Sequence, residues 1–302
     1  MRLRNLELRL RAARDCDEWI AALADFFAAH DLAFGHGTDN ASDEAFWLLR
    51  HLQGWADVDA SKPPPAELTE RALPLALRRV EERKPLAYLL NEAWFAGLKF
   101  YVDERVLVPR SPLAEVVERG FAPWCSLKPG DRVLDIGTGS GCIAIAAAHY
   151  CPDVEVHATD VSADALAVAA RNVELHGLAE RVRLFEADLF PPPHGEPYRV
   201  IVTNPPYVPE GEIAALPREY AHEPALGLAS GPDGFAAARR IVQGARDRLA
   251  PDGALFLELG AGADAFAAAH PKLPLIALAF ERGGDGVLCT TGAELREFLR
   301  SR

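Results

Sequence analysis

The stretch VLDIGTGSGCIAIAAA, Val133 to Ala148, decides the fold. An apolar run gives way to glycines at alternate positions, and these to an alanine-rich segment. That order reads as a strand, a loop and the start of a helix. Gly137, Gly139 and Gly141 allow positive φ and let a ligand approach the backbone where a Cβ would clash. The dinucleotide fingerprint G-x-G-x-x-G is not met: position 142 is Cys, and the third glycine comes one residue early. The spacing therefore disfavours a pyrophosphate seated on the helix N-terminus. A purely structural turn is the alternative for the loop taken alone.

The same pattern continues outward. DRVLDIGTGSG, VEVHATD, VRLFEADLF, RVIVTNPPY and GALFLELG are apolar runs that each end in Gly, Asp, Asn or Pro. Helical stretches such as SADALAVAARNVELHG and GFAAARRIVQGARDRLA separate them. Strands rich in Val, Ile and Leu with intervening helices predict a parallel α/β sheet covered on both faces. The tail LPLIALAFERGGDGVLCTT predicts two further strands joined by a tight turn at GGDG, hence an antiparallel pair at one end. Ligands of such sheets bind beyond the carboxyl ends of the strands, where every punctuating residue named above lies.

Asp160 closes the predicted strand after Asp135, and Asp188 closes the next. A carboxylate at Asp160 can accept from both hydroxyls of a ribose, and one at Asp188 from an exocyclic adenine amine. Singly, each is as well read as a helix cap or turn residue. Three strand-end carboxylates beside a glycine loop suit a cationic nucleoside, of which S-adenosylmethionine is the obvious example.

In VIVTNPPYVPE, Val200 to Glu210, two prolines end a strand that would otherwise continue. They push Asn204 into an extended conformation and fix an amide, a stiff turn and the Tyr207 ring in one arrangement.

From about Pro112 onward the chain resembles the class I S-adenosylmethionine-dependent methyltransferases, Rossmann-like with an antiparallel last strand. The resemblance implies a cofactor site at Asp135, Gly137, Thr138, Gly139, Ser140 and Gly141, with Asp160, Asp188, Leu189 and Asn204. Asn-Pro-Pro-Tyr resembles the signature of enzymes that methylate a planar nitrogen. Asn204, Pro205, Pro206 and Tyr207 are then the catalytic candidates: the Asn204 carboxamide and the Pro205 carbonyl accept from the substrate NH₂, Pro206 turns the chain, and Tyr207 packs on the planar group. No metal is expected.

Before this region, residues 1–91 have helical periodicity. DEWIAALADFFAAH sets Trp19, Ile20, Leu23, Phe26 and Phe27 near one stripe, SDEAFWLLRHL offers Ser42 or Asp43 as N-cap, and Pro74 should start or kink a helix. Residues 92–111 read as a β-hairpin linker turning at Gly97, and 112–302 as the methyltransferase domain. Over nearly its full length the chain is similar to the glutamine-amide methyltransferases of translation proteins. FGHGTDNASDEA (Phe34 to Ala45), AWFAGLKFYVDERVLVPRSP and YAHEPALGLASGPDG resemble the branch acting on a ribosomal protein more than the release-factor branch, whose Pro-Glu is replaced here by Ser111-Pro112. That resemblance implies N5-methylation of a glutamine in the third large-subunit ribosomal protein, with the helical domain and its FGHGTDN loop recognising the substrate. His222, Glu223 and Pro224 are candidates for the substrate entrance, with a plain loop the alternative for His222.

The bulk numbers are consistent with such a partner. Of 302 residues, 44 are acidic and 32 basic, giving a formal charge of −12. That argues against a free-standing duplex binder, which needs a basic footprint, and suits a basic protein. An adenine-N6 nucleic-acid methyltransferase and a non-catalytic ribosome-assembly factor remain as alternatives from other classes. Five cysteines without a C-x-x-C pair suggest reduced thiols and a cytoplasmic address. The basic N-terminus lacks an apolar core for a signal peptide, and no long apolar window predicts a membrane span.

Overall fold

The computed structural model describes residues 3–193 and 195–300. It divides into two compact units, one of residues up to Glu92 with Pro217–His222, the other of Ala93–Leu216 with Glu223 onward. Among the described residues, no helix is long and apolar enough to cross a membrane.

The smaller unit contains α1 (Leu3–Ala12), α2 (Cys16–Ala28), α3 (Ala41–Leu52), α4 (Ala66–Glu81) and α5 (Leu86–Leu90). Trp19, Leu23, Phe26 and Phe27 of α2 are buried with Leu6 and Leu10 of α1 and Leu48 and Leu49 of α3, while Ile20 is only half-buried. The cap of α3 is Asn40, whose side chain accepts from the Asp43 N–H at 2.9 Å. This corrects the expectation of Ser42 or Asp43, which lie inside the first turn because Asn40 already supplies the extended residue and its acceptor. Pro74 does not start a helix either, since α4 begins after Pro65 and runs through it. The missing N–H frees the Glu70 carbonyl, but Glu70 and Pro74 are both on the exposed face, where water can replace the bond. At the centre of the unit the Arg79 guanidinium, 1% exposed, lies between Glu44 (2.5 Å) and Glu219 (3.3 Å). Arg83 adds a second contact to Glu219 at 3.1 Å, so buried charge pairing holds the segment 217–222 within this unit.

The larger unit begins with a two-stranded hairpin, β1 (Ala93–Phe95) and β2 (Leu98–Phe100), turning through Ala96 and Gly97 at φ 49° and 71°. Two consecutive left-handed residues match the right-handed twist of the strands. A seven-stranded sheet follows: β3 (Arg132–Ile136), β4 (Glu155–Asp160), β5 (Val182–Glu186), β6 (Tyr198–Thr203), β7 (Leu249–Glu258), β8 (Ile276–Ala277) and β9 (Val287–Thr291). Its order is β5-β4-β3-β6-β7-β9-β8, and β9 alone runs antiparallel to its neighbours. The helices are α6 (Leu113–Glu118), α7 (Cys142–Tyr150), α8 (Ala163–Leu175), α9 (Ala236–Arg248), α10 (Ala263–Ala269) and α11 (Gly292–Arg300). Alternating strand residues feed two apolar layers. Val133, Val156, Val200 and Phe256 pack with α6 and α7, while Leu134, Ile201, Leu255 and Leu257 pack with α9 and Phe298 of α11.

The expected tight turn at GGDG is not what joins the last two strands. Residues 278–286 separate β8 from β9, and the Gly286 carbonyl accepts from the Leu259 N–H at 2.7 Å. Gly286 ties this loop back to the end of β7. A Cβ on Gly286 would stand 2.3 Å from the Gly260 carbonyl oxygen, so the contact requires glycine.

Sequential strands run outward from β3 to β5 on one side and from β6 to β7 on the other. The topological switch point therefore lies between the carboxyl ends of β3 and β6. Thr203 Oγ1 donates to the Ile136 carbonyl at 2.7 Å and ties those two ends together.

Candidate active site

The loop after β3 is built on backbone bonds. The Gly137 and Thr138 N–H groups donate to the Thr159 carbonyl at 2.8 and 2.9 Å, and Gly139 donates to Asp160 Oδ2 at 2.9 Å. Gly137 and Gly139 have φ of 70° and 54°, and a Cβ on either would point into open space. Gly141 differs: its Cβ would stand 3.2 Å from Ala169 in α8, so this third glycine allows α7 and α8 to pack.

Asp135 is fully buried. Its Oδ2 accepts from Thr138 Oγ1 (2.6 Å) and the Ala144 N–H (3.1 Å), bracing the loop and the first turn of α7, while Oδ1 is without a hydrogen bond. Burial pushes this carboxyl up to about 7, against the bonds from Thr138 and Ala144 and with a smaller push from Asp160. Asp160 accepts one backbone N–H on each oxygen, from Gly139 and from Ser162, both at 2.9 Å. Each oxygen keeps lone-pair capacity for a further donor.

A cavity of about 660 Å³ lies over these strand ends. Its wall includes Gly137, Thr138, Gly139, Ser140, Asp160, Asp188, Leu189, Asn204 and Pro206 of the expected residues. The remaining four, Asp135, Gly141, Pro205 and Tyr207, are outside the wall. Tyr207 is half-buried against Gly260, whose Cβ would stand 3.1 Å from the ring, and its carbonyl closes on Gly234. The ring thus seats the turn on the end of β7, where a ring packed on a substrate was expected. Asn204 is half-buried in the wall, and none of the hydrogen bonds among the described residues uses its carboxamide. Leu189 adopts φ 72°, unusual for a branched residue, with its carbonyl accepting from Thr159 Oγ1 at 2.6 Å.

Several wall residues escape a reading by motif. Arg240 of α9 forms a two-pronged pair with Asp188 at 2.7 and 3.1 Å and holds that carboxyl below its ordinary range. Asp188 therefore meets the cavity already paired, not as a lone acceptor for an adenine amine. The segment 104–111 and the segment from Pro224 to Gly231 complete the wall. They are joined by Glu223, which accepts from Arg110 at 2.5 and 2.7 Å and from the Val108 N–H at 3.1 Å. Glu223 thus braces the wall, Pro224 lines it, and His222 Nε2–H donates to the Glu82 carbonyl within the helical unit. The stretch VPRSP carries the only local signal for this: a charged residue and a hydroxyl fixed between prolines. Cys142 also lines the cavity, and burial pushes its thiol up to about 12, so it is no thiolate nucleophile at neutral pH.

Comparison with known proteins decides the family. The chain is 46% identical to the ribosomal protein uL3 glutamine methyltransferase of Bordetella pertussis over 87% of its length and 90% of that protein. It is 39% identical to the protein of the same name from Francisella tularensis, over 96% of this chain and 93% of the relative. The chain belongs to the uL3 glutamine methyltransferase family. A model described as the methyltransferase small domain matches residues 124–218, which run from before β3 to beyond the Asn-Pro-Pro-Tyr turn. Among solved structures, the hMettl16 catalytic domain in complex with MAT2A 3′UTR hairpin 1 superimposes with a TM-score of 0.51 at 16% identity. It covers 82% of this chain and 90% of that one, a likeness of fold alone. The family membership makes the wall at the β3–β6 switch point the place to look for methyl transfer.

Proposed function

We propose that the chain transfers a methyl group from S-adenosylmethionine to the side-chain amide nitrogen of a glutamine in ribosomal protein uL3. The observation that carries this reading is the free Asn204 carboxamide, held by a two-proline turn in the wall of the cavity at the switch point. The residues present fit the cofactor. The open cradle at Gly137 and Gly139 admits a ligand that a Cβ would obstruct. The Asp160 carboxylate, with lone-pair capacity left on both oxygens, suits a cationic nucleoside, and the Gly137, Thr138 and Gly139 N–H groups are already spent on Thr159 and Asp160 rather than open to a pyrophosphate. Asp160 would hold the ribose, with Leu189 and the Asp188–Arg240 pair beside the base. Bound there, the cofactor supplies an electrophilic methyl group.

The chain's own contribution is orientation. An amide nitrogen is a poor nucleophile because its lone pair is delocalised. The Asn204 carboxamide oxygen and the Pro205 carbonyl accept its two N–H bonds and so fix the direction of that lone pair. These bonds strengthen as positive charge develops on nitrogen, which favours the transition state over the ground state. Holding the partners in line is worth on the order of 7–11 kcal/mol in well-oriented systems. Pro205 and Pro206 make the turn stiff, and Tyr207 seats it on Gly260. On this reading the helical unit recognises the protein around the glutamine, the acidic chain is steered toward a basic ribosomal protein, and the work is done in the cytoplasm.

Transfer of labelled methyl groups to purified uL3, a release factor and RNA tests the reading. The expected result is label on a uL3 glutamine alone. Asn204→Ala should reduce it to background while calorimetry shows nearly unchanged cofactor affinity. Label on the release factor, or near-normal turnover in the variant, overturns the substrate or the mechanism respectively.

A further inference from the structure

Methylating an amide leaves a proton that must depart, and the two oxygens that accept its N–H bonds, those of Asn204 and Pro205, are amide oxygens too weakly basic to take it. Beside the Asn-Pro-Pro-Tyr turn there is a stronger acceptor. Glu258 is the last residue of β7 and is buried. Its neighbour Leu257 pairs with Thr203 in parallel register, so Glu258 and Asn204 are the next residues along two adjacent backbones, which in sheets run about 5 Å apart. Glu258 Oε2 accepts a short hydrogen bond from the Ser111 hydroxyl, and Ser111 belongs to the cavity wall. Ser111 Oγ also accepts from the Leu113 N–H at 3.1 Å. A hydroxyl has one donor and two acceptor positions, so one acceptor position is left.

We propose that Ser111 and Glu258 carry away the proton that leaves the glutamine nitrogen. The inference rests on the reading above, that a glutamine amide sits against Asn204. In the transfer, the nitrogen lone pair becomes the N–C bond, and the methyl–sulfur bond breaks with its pair remaining on sulfur. The amide then bears the positive charge and one surplus hydrogen. One of the two protons held by Asn204 and Pro205 leaves that bond for Ser111 Oγ as the hydroxyl proton passes to Glu258 Oε2. A neutral N-methyl amide, an intact serine and a neutral carboxyl result. Glu258 returns its proton to solvent before the next turnover.

The surroundings suit such an exchange. Burial pushes Glu258 up to about 7, while the Ser111 hydroxyl and the Arg110 charge pull it down. Arg110 is held by Glu223, and Cys142 at the start of α7 is the other titratable group acting with Glu258, its thiol far above neutrality. On the neighbouring β9 Glu258 is paired with Val287, which does not titrate. A carboxyl balanced near neutral pH can both take and release a proton.

The test joins rate profiles to a measurement without cofactor. In the wild-type enzyme, kcat toward uL3 should rise through about pH 7, where Glu258 ionises. Glu258→Gln should lower kcat on the order of 100-fold and remove that rise, with KM for uL3 and cofactor affinity unchanged. Ser111→Ala should do the same, and Ser111→Thr, which keeps the hydroxyl, should restore both rate and profile. In the cofactor-free protein, infrared bands of protonated carboxyls should titrate near neutrality for both Asp135 and Glu258; the band lost in Glu258→Gln should move to higher pH in Ser111→Ala. A Glu258→Gln enzyme with the wild-type rate and profile overturns the proposal, as does a set of titrating bands that Glu258→Gln leaves unchanged. A wild-type enzyme inert toward uL3 would instead overturn the function beneath it, and this route with it.

Discussion

Asp135 stands behind the cavity that its place in the motif predicts it to line. Its place at a strand end before a glycine loop was legible in the sequence, but its depth was not. The carboxyl is buried and does not line the cavity. It braces the loop through Thr138 and Ala144, and burial raises it to about 7. The consequence for stability has a definite sign. In the unfolded chain an aspartate titrates near 4, so between about pH 4 and 7 the native state holds a proton that the unfolded state has released. Stability therefore falls as pH rises through that window, and the penalty is complete above 7. At about 1.4 kcal/mol per pKa unit, it is at most about 4 kcal/mol. Glu258 acts in the same direction. Asp135→Asn should remove part of this slope, seen as a flatter dependence of denaturant midpoint on pH between 5 and 8. An unchanged slope would mean that the carboxyl ionises freely in the fold.

At the scale of elements, the strand–loop–helix of 133–148 was legible because each step has a local cause: an apolar run, alternate glycines, alanines. The division of labour among those glycines was not, since it depends on what α8 brings alongside. Gly137 and Gly139 face open space, whereas Gly141 faces Ala169 at 3.2 Å. Alanine at any of the three meets the same left-handed backbone cost, roughly 1–2 kcal/mol. Beyond that the outcomes should separate. Gly137→Ala should lose cofactor binding in calorimetry with a modest drop in Tm, because its methyl enters the cradle. Gly141→Ala should lose more Tm, because α7 and α8 must part, and keep most of its affinity. Equal loss of affinity in both would mean that the loop acts as one rigid piece. The GGDG segment failed as a turn for the same kind of reason. Its last glycine, Gly286, serves a backbone contact with Leu259 and Gly260, which no local pattern announces.

At the scale of the whole chain, most of the architecture followed from periodicity, and what did not involves residues far apart in sequence. Residues 217–222 stand between two stretches that line the cavity, Asn204–Pro206 and Pro224–Gly231, and read as one more loop. In the structure they belong to the helical unit. Glu219 explains it: its carboxylate lies between Arg79 and Arg83 at 3.3 and 3.1 Å, and shares Arg79 with Glu44. A guanidinium and two carboxylates, each at most 4% exposed, are stable only together. Removing one member leaves the others buried and uncompensated, at roughly 3–5 kcal/mol. Arg79→Met keeps much of the side-chain volume and removes the charge, so Glu44 and Glu219 lose their common partner. The expected outcome is selective. In hydrogen exchange, protection of 217–222 should fall together with that of α3 and α4, while β3, β4 and β6 keep theirs. Methyl transfer to uL3 should weaken through KM, because on the reading above the helical unit recognises the protein around the glutamine. If 217–222 stays protected in this variant, Arg79 is not what holds it, and the segment's place in the helical unit rests on the packing of Tyr220 against His36, whose ring centroids are 4.6 Å apart.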